Sequence, residues 1–186
     1  MDTRTEILAL AEQLIRSRGY NSFSYKDVSS ALSIKNAAIH YHFPAKHDLG
    51  KAIINRTRLR FAQHLSEWKS LAPMQQLEKF VETYENSQTQ NLICFMGALG
   101  PSFNTLPEPM QIELRAASFE IRSWVRIILR AGLADGSFTF NDKLEDKTDA
   151  IISSLLASLI LNRVTGENIL ASIKTVIITS LKKEVL

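Results

Sequence analysis

The sequence predicts an all-α fold, with a small N-terminal helix-turn-helix unit followed by a larger helical body, and three observations predict it. Apolar residues recur every three or four positions along most of the chain, as a core-facing helical stripe requires. Alternation of period two, the mark of a half-buried strand, is almost absent. Only 7 glycines and 5 prolines interrupt 186 residues, and most fall where one helical pattern stops and the next begins. An apolar content of 45% supplies a core for such a chain.

The elements follow in order. A first helix runs from about Thr3 to Arg18 on the stripe Ile7, Leu8, Ala11, Leu14 and Ile15, and Gly19 stands where a helix-ending glycine belongs. Phe23 leads into the stretch SYKDVSSALSIKNAAIHYHF, residues 24–43. Its apolar positions Val28, Leu32, Ile34, Ile39 and Phe43 are spaced 4, 2, 5 and 4 apart, which suits two short helices across a three-residue turn better than one continuous helix. Ser24 is placed as an N-cap with Asp27 three residues on, a near variant of the capping box. Pro44 stops the second short helix. Lys46 to about Leu71 reads as a long helix with Leu49, Ile53, Phe61, Leu65 and Trp68 inward and Lys51, Arg56, Arg58 and Arg60 solvated. Pro73 opens a helix to about Thr89, and the apolar segment around Asn91 to Phe103 reads as short or broken. Pro107 and Pro109 open a long helix ending near Gly132 or Gly136; two more run from about Leu144 to Thr165 and Glu167 to Lys183.

The second short helix begins with Lys35 and Asn36, then Ala37 and Ala38. A helix entering the DNA major groove needs such an end: donors that reach base edges and small side chains that let the backbone approach. Lys35, Asn36, Ala38 and His40 are the groove-facing candidates. The segment SYKDVSSALSIKNAAIHYHFPAKHDL resembles the DNA-binding signature of TetR-type transcriptional regulators through Asp27, Val28, Ile34, Ile39, Tyr41, His42, Phe43 and Lys46. It departs at Ser33, where the family commonly has a turn glycine, and at 35–38, which set base preference. The resemblance implies that Ser24, Tyr41, His42 and Lys46 touch phosphates, fixing register rather than sequence. With Lys26 and Ala37, these complete the expected DNA-binding set. The expected division is a DNA-binding domain over 1–46 and a ligand-binding and dimerisation domain over 47–186.

Charge is distributed accordingly. Residues 1–60 hold 10 Lys/Arg against 5 Asp/Glu, and the remainder 12 against 14, which together give the net +3. A basic segment on a mildly acidic body suits one end that meets phosphates. All four histidines (His40, His42, His47, His64) lie in or next to that segment. His40 and His42 are two apart on a helix and face apart, and no Cys/His/carboxylate cluster accompanies them, so no metal or other cofactor is expected. The first residues form a capped amphipathic helix without signal-peptide layout, and one cysteine fits a reducing cytoplasm. The longest apolar stretch, residues 150–161, is 12 residues with three serines, too short to cross a bilayer. No nucleophile elbow, phosphate-binding glycine loop or zinc-protease motif is present, so no enzyme is expected.

In the family the last two helices of each subunit build a four-helix dimer interface, which the small and apolar residues Ser154, Ala157, Ser158, Leu161, Ile173 and Ile177 suit. Phe80, Tyr84, Cys94, Met96, Phe103, Phe119 and Trp124 are the large or soft residues from which a pocket for an apolar or aromatic effector would be made. Cys94 reads first as a small core side chain; some TetR-type regulators that sense electrophiles or oxidants carry a cysteine in a similar helix. The expectation is a homodimeric repressor on a palindromic operator, released by a small ligand. The alternatives are a DNA-bound scaffold or cell-cycle factor without a ligand, and a thiol sensor acting through Cys94.

Overall fold

Caps and breakers set the helix ends. The computed structural model describes residues 2–182, which form nine α-helices and two 3-10 turns with no strand among them. They fall into two compact units, residues 2–62 with 95–117, and residues 63–94 with 118–182.

The first unit opens with α1 (Thr3–Arg18), whose Asp2 carboxylate accepts from the Thr5 N–H at 2.7 Å and whose C-terminus is Gly19 at φ 89°. After a 3-10 turn (Tyr20–Ser22) come α2 (Tyr25–Leu32) and α3 (Asn36–His42), separated by the expected three residues. The start of α4 (Lys46–Trp68), the short α6 (Phe95–Leu99), a 3-10 turn (Gly100–Thr105) and the start of α7 (Glu108–Asp135) complete it. Ile7, Ala11, Ile15, Val28, Ile39, Phe43, Leu49, Ile54 and Met110 form its core, each at most 2% exposed. Gly50 makes room for Met110: a Cβ there would lie 2.6 Å from the thioether sulfur.

The long helix α4 differs from expectation on its polar face. Arg56 and Arg60 are not simply solvated; both bond the carboxylate of Glu12, which is 6% exposed on α1. Arg58 pairs with Glu113 on α7. Burial raises the Glu12 carboxyl, but the hydrogen bonds and charges of Arg60 and Arg56 outweigh it and hold the group below its ordinary value. A buried charge needs such partners. The helix also ends at Trp68 rather than Leu71, whose N–H turns back to the Trp68 carbonyl at 2.8 Å ahead of Pro73.

The second unit contains α5 (Pro73–Thr89), α8 (Leu144–Thr165), α9 (Ile169–Thr179) and the remainder of α4 and α7. α8 packs against both α5 and α9. Leu77, Val81, Val125, Leu129, Ile151, Leu155 and Leu170 are among its buried residues. Phe138 lies over Gly132, where a Cβ would come within 2.0 Å of its ring. Arg122 grips Asp149 with two bonds of 2.7 Å, and Lys174 pairs with Glu85 at 2.9 Å. The last helix is shorter than expected. Asn168 caps it through the Ala171 N–H, and beyond Thr179 the chain turns so that the buried Leu181 offers its carbonyl to Thr139 at 2.9 Å. Lys183, the expected end, lies outside the described residues.

Candidate nucleic-acid interface

Local chemistry shapes the turn that presents α3. The Ser24 hydroxyl accepts from the Asp27 N–H at 3.4 Å, and the Asp27 carboxylate accepts from the Ser24 hydroxyl at 2.6 Å and its N–H at 2.7 Å. Those Ser24 bonds hold the Asp27 carboxyl below its ordinary value. Both members of the capping box are therefore present. α2 ends on Ser33 at φ 55°, ψ 37°, the left-handed region, so the position does require a glycine-like backbone and a serine adopts it. The N–H of Ile34 closes the turn on the Ser29 carbonyl at 3.0 Å.

Within α3 only Ile39 is buried, with Phe43 just beyond it. Lys35, Asn36, Ala37, His40 and Tyr41 are exposed, Tyr41 at 84%, while Ala38 and His42 are half-buried. Ser24 and Lys26 are exposed beside them on α2 and its cap. The far end of α3 is braced from α2: the Tyr25 hydroxyl donates to the Phe43 carbonyl at 2.8 Å, and the Tyr25 ring meets the His40 ring edge-on at 4.9 Å. Burial pushes the Tyr25 phenol up to about 12. Lys46 makes ring contacts that spacing along the chain does not reveal. Its ammonium sits 4.6 Å from the Tyr20 ring centroid and 4.4 Å from that of Phe23. Burial lowers its pKa, and the Asp27 carboxylate opposes that shift. Arg4, absent from the sequence-derived set, lies with its guanidinium 5.1 Å from the Phe43 ring centroid, next to the end of α3. Only the folded packing of α1 against α3 brings it there; no local pattern signals it.

The residues named for a pocket have different surroundings. Phe80 meets Tyr84 at 5.4 Å and Trp124 at 5.3 Å, and Trp124 meets Trp68 at 5.8 Å, an aromatic cluster inside the second unit. Burial pushes the Tyr84 phenol well above its ordinary value, and the neighbouring half-buried Cys94 adds in the same direction. Met96 and Phe103 pack at the margin of the first unit's core, and Phe119 is 67% exposed. Among the six residues named for a dimer interface, Ser158 and Ile177 are buried within the subunit, Ser154 and Ile173 are half-buried, and Ala157 and Leu161 are exposed. Val164 and Val176 are also exposed, at 77% and 60%. Among the described residues no helix is long and apolar enough to cross a membrane.

Comparison with known proteins agrees with the all-helical fold and its N-terminal helix-turn-helix. The sequence profile of bacterial regulatory proteins of the tetR family matches residues 7–53. Among curated proteins none matches the chain in sequence. Solved structures do. A TetR transcriptional regulator from Legionella pneumophila is 31% identical over 98% of both chains, with a TM-score of 0.88. A TetR-family regulator from Agrobacterium tumefaciens is 26% identical over 97% of both, with a TM-score of 0.91. A regulatory protein TetR from Rhodobacter sphaeroides, 18% identical, shares the fold over 95% of this chain with a TM-score of 0.84.

Proposed function

The chain belongs to the TetR family of transcriptional regulators, and from that premise we propose that it is a cytoplasmic homodimeric repressor that binds a palindromic operator and leaves it when a small apolar or aromatic molecule binds. The observation that carries this reading is the presentation of α3. One buried side chain, Ile39, anchors it, and Lys35, Asn36, Ala37, His40 and Tyr41 all face solvent. A short helix with that composition buries too little to serve the core alone, and its polar end has the donors that base edges accept. Ser24, Lys26, Tyr41, His42 and Lys46, joined by Arg4, are the proposed phosphate contacts, and Lys35, Asn36, Ala38 and His40 the base-reading ones. Functionally the division is 1–46 for DNA and 47–186 for dimerisation and ligand.

Dimerisation is supported by the exposed run Ala157, Ile160, Leu161 and Val164, which recurs at i, i+3, i+4 and i+7 on α8, with Val176 on α9. The effector's proposed place is the second unit's aromatic cluster of Phe80, Tyr84 and Trp124, with Cys94 next to Tyr84. Release is then a population shift: a ligand that fits one form better than the operator-bound form lowers operator affinity by that difference.

The test separates positioning from reading. Lys46→Ala should weaken binding to all duplexes about equally and reduce the salt slope by about one unit. Asn36→Ala should change which duplex is preferred, by about 1–3 kcal/mol at one base pair. If Lys46→Ala alters preference while Asn36→Ala alters neither preference nor affinity, the assignment is wrong.

A further inference from the structure

We propose that His40 is a specificity-determining residue that reads the amino base of one base pair in each half-site, through an Nε2 lone pair whose sense the Pro44 carbonyl fixes. This rests on the DNA-binding reading above and adds to it the sign of one contact. His40 Nδ1 lies 3.1 Å from the carbonyl oxygen of Pro44. A carbonyl oxygen only accepts, so Nδ1 carries the proton. In the neutral ring Nε2 is then an acceptor and nothing else.

The ring is held in that state. Its edge-on contact with Tyr25 and the 2.8 Å bond from the Tyr25 hydroxyl to the Phe43 carbonyl tie both aromatic groups to the end of α3. The Tyr25 phenol faces His40 from α2, pushed up to about 12 by burial, and α1 brings Arg4 to the Phe43 ring at the end of α3. Tyr41 and His42 flank His40 along α3, and Pro44 adds no charge. Every base pair shows one amino and one keto group at its major-groove edge: adenine against thymine, cytosine against guanine. A pure acceptor therefore reports which strand carries the amino base, and does not tell adenine from cytosine.

Two measurements on the full chain decide it. Nitrogen-15 NMR of the free protein at about pH 8 should show the His40 proton on Nδ1 and a bare Nε2; a proton on Nε2 would overturn the proposal. Selection from randomised duplexes should then be run at the same pH. One position per half-site should accept adenine or cytosine alike, and exchanging the strands of that pair should cost about tenfold in affinity. His40→Phe, which retains a ring against Tyr25 but no nitrogen, should lose that preference. Enrichment in which His40→Phe reproduces the wild-type pattern would overturn this inference alone. Failure to enrich any duplex would overturn the DNA-binding reading, and this one with it.

Discussion

Ser33 carries the turn between α2 and α3 in a left-handed conformation, where a Cβ crowds the neighbouring carbonyl. Ser33→Gly should therefore stabilise the chain by about 1 kcal/mol, read as a higher melting temperature with DNA affinity retained. A lower melting temperature would mean that the Ser33 side chain contributes more than its backbone costs. Glu12 is the other residue with a large individual effect. Its carboxyl is depressed in the folded state by Arg60 and Arg56, so it contributes stability above the ordinary carboxylate pKa and loses it as pH falls through the folded value. Glu12→Gln should lower stability near neutral pH by about 2 kcal/mol, and the gap from wild type should shrink once pH drops under the ordinary carboxylate pKa and close as it falls through the folded value. Melting curves across that range measure it; a constant gap at every pH would contradict the ion-pair account.

At the scale of elements, α8 has two faces. Ile151, Leu155 and Leu159 point into the second unit, while Ala157, Leu161 and Val164 do not. Leu161→Arg should split the dimer in sedimentation, from about twice 21.0 kDa to one copy, and weaken operator binding with it. Ser158→Arg belongs to the other face: the residue is 1% exposed and its hydroxyl donates to the Leu155 carbonyl at 2.7 Å, so that change should destabilise the subunit itself. A Leu161→Arg protein that remains a dimer would remove α8 from the interface. Helix ends were legible in the sequence wherever a breaker or cap acts locally, as at Gly19, the Ser24–Asp27 box and Pro73. The pairs that join distant segments were not. Arg56 and Arg60 find Glu12 across 44 and 48 residues, and Phe138 settles over Gly132 only once α7 is built. Period and propensity leave no mark of such partners.

At the scale of the whole molecule, the candidate DNA face was legible because it is one contiguous segment whose residues need no distant partner to be recognised. Arg4 escaped because only folding places it at the end of α3, and the bond that sets the His40 tautomer escaped because a backbone carbonyl supplies it. The aromatic cluster was named only in part, since Trp68 lies on α4, outside the segments taken to form a pocket. The central claim is that two copies of α3 read DNA together. Hydroxyl-radical footprinting on a duplex enriched by the wild-type protein tests it most directly. Two protected patches should appear, centred one helical turn, about 34–36 Å, apart, and both should vanish in Leu161→Arg at the same protein concentration. A single patch, or two patches that persist when the protein is monomeric, would contradict it.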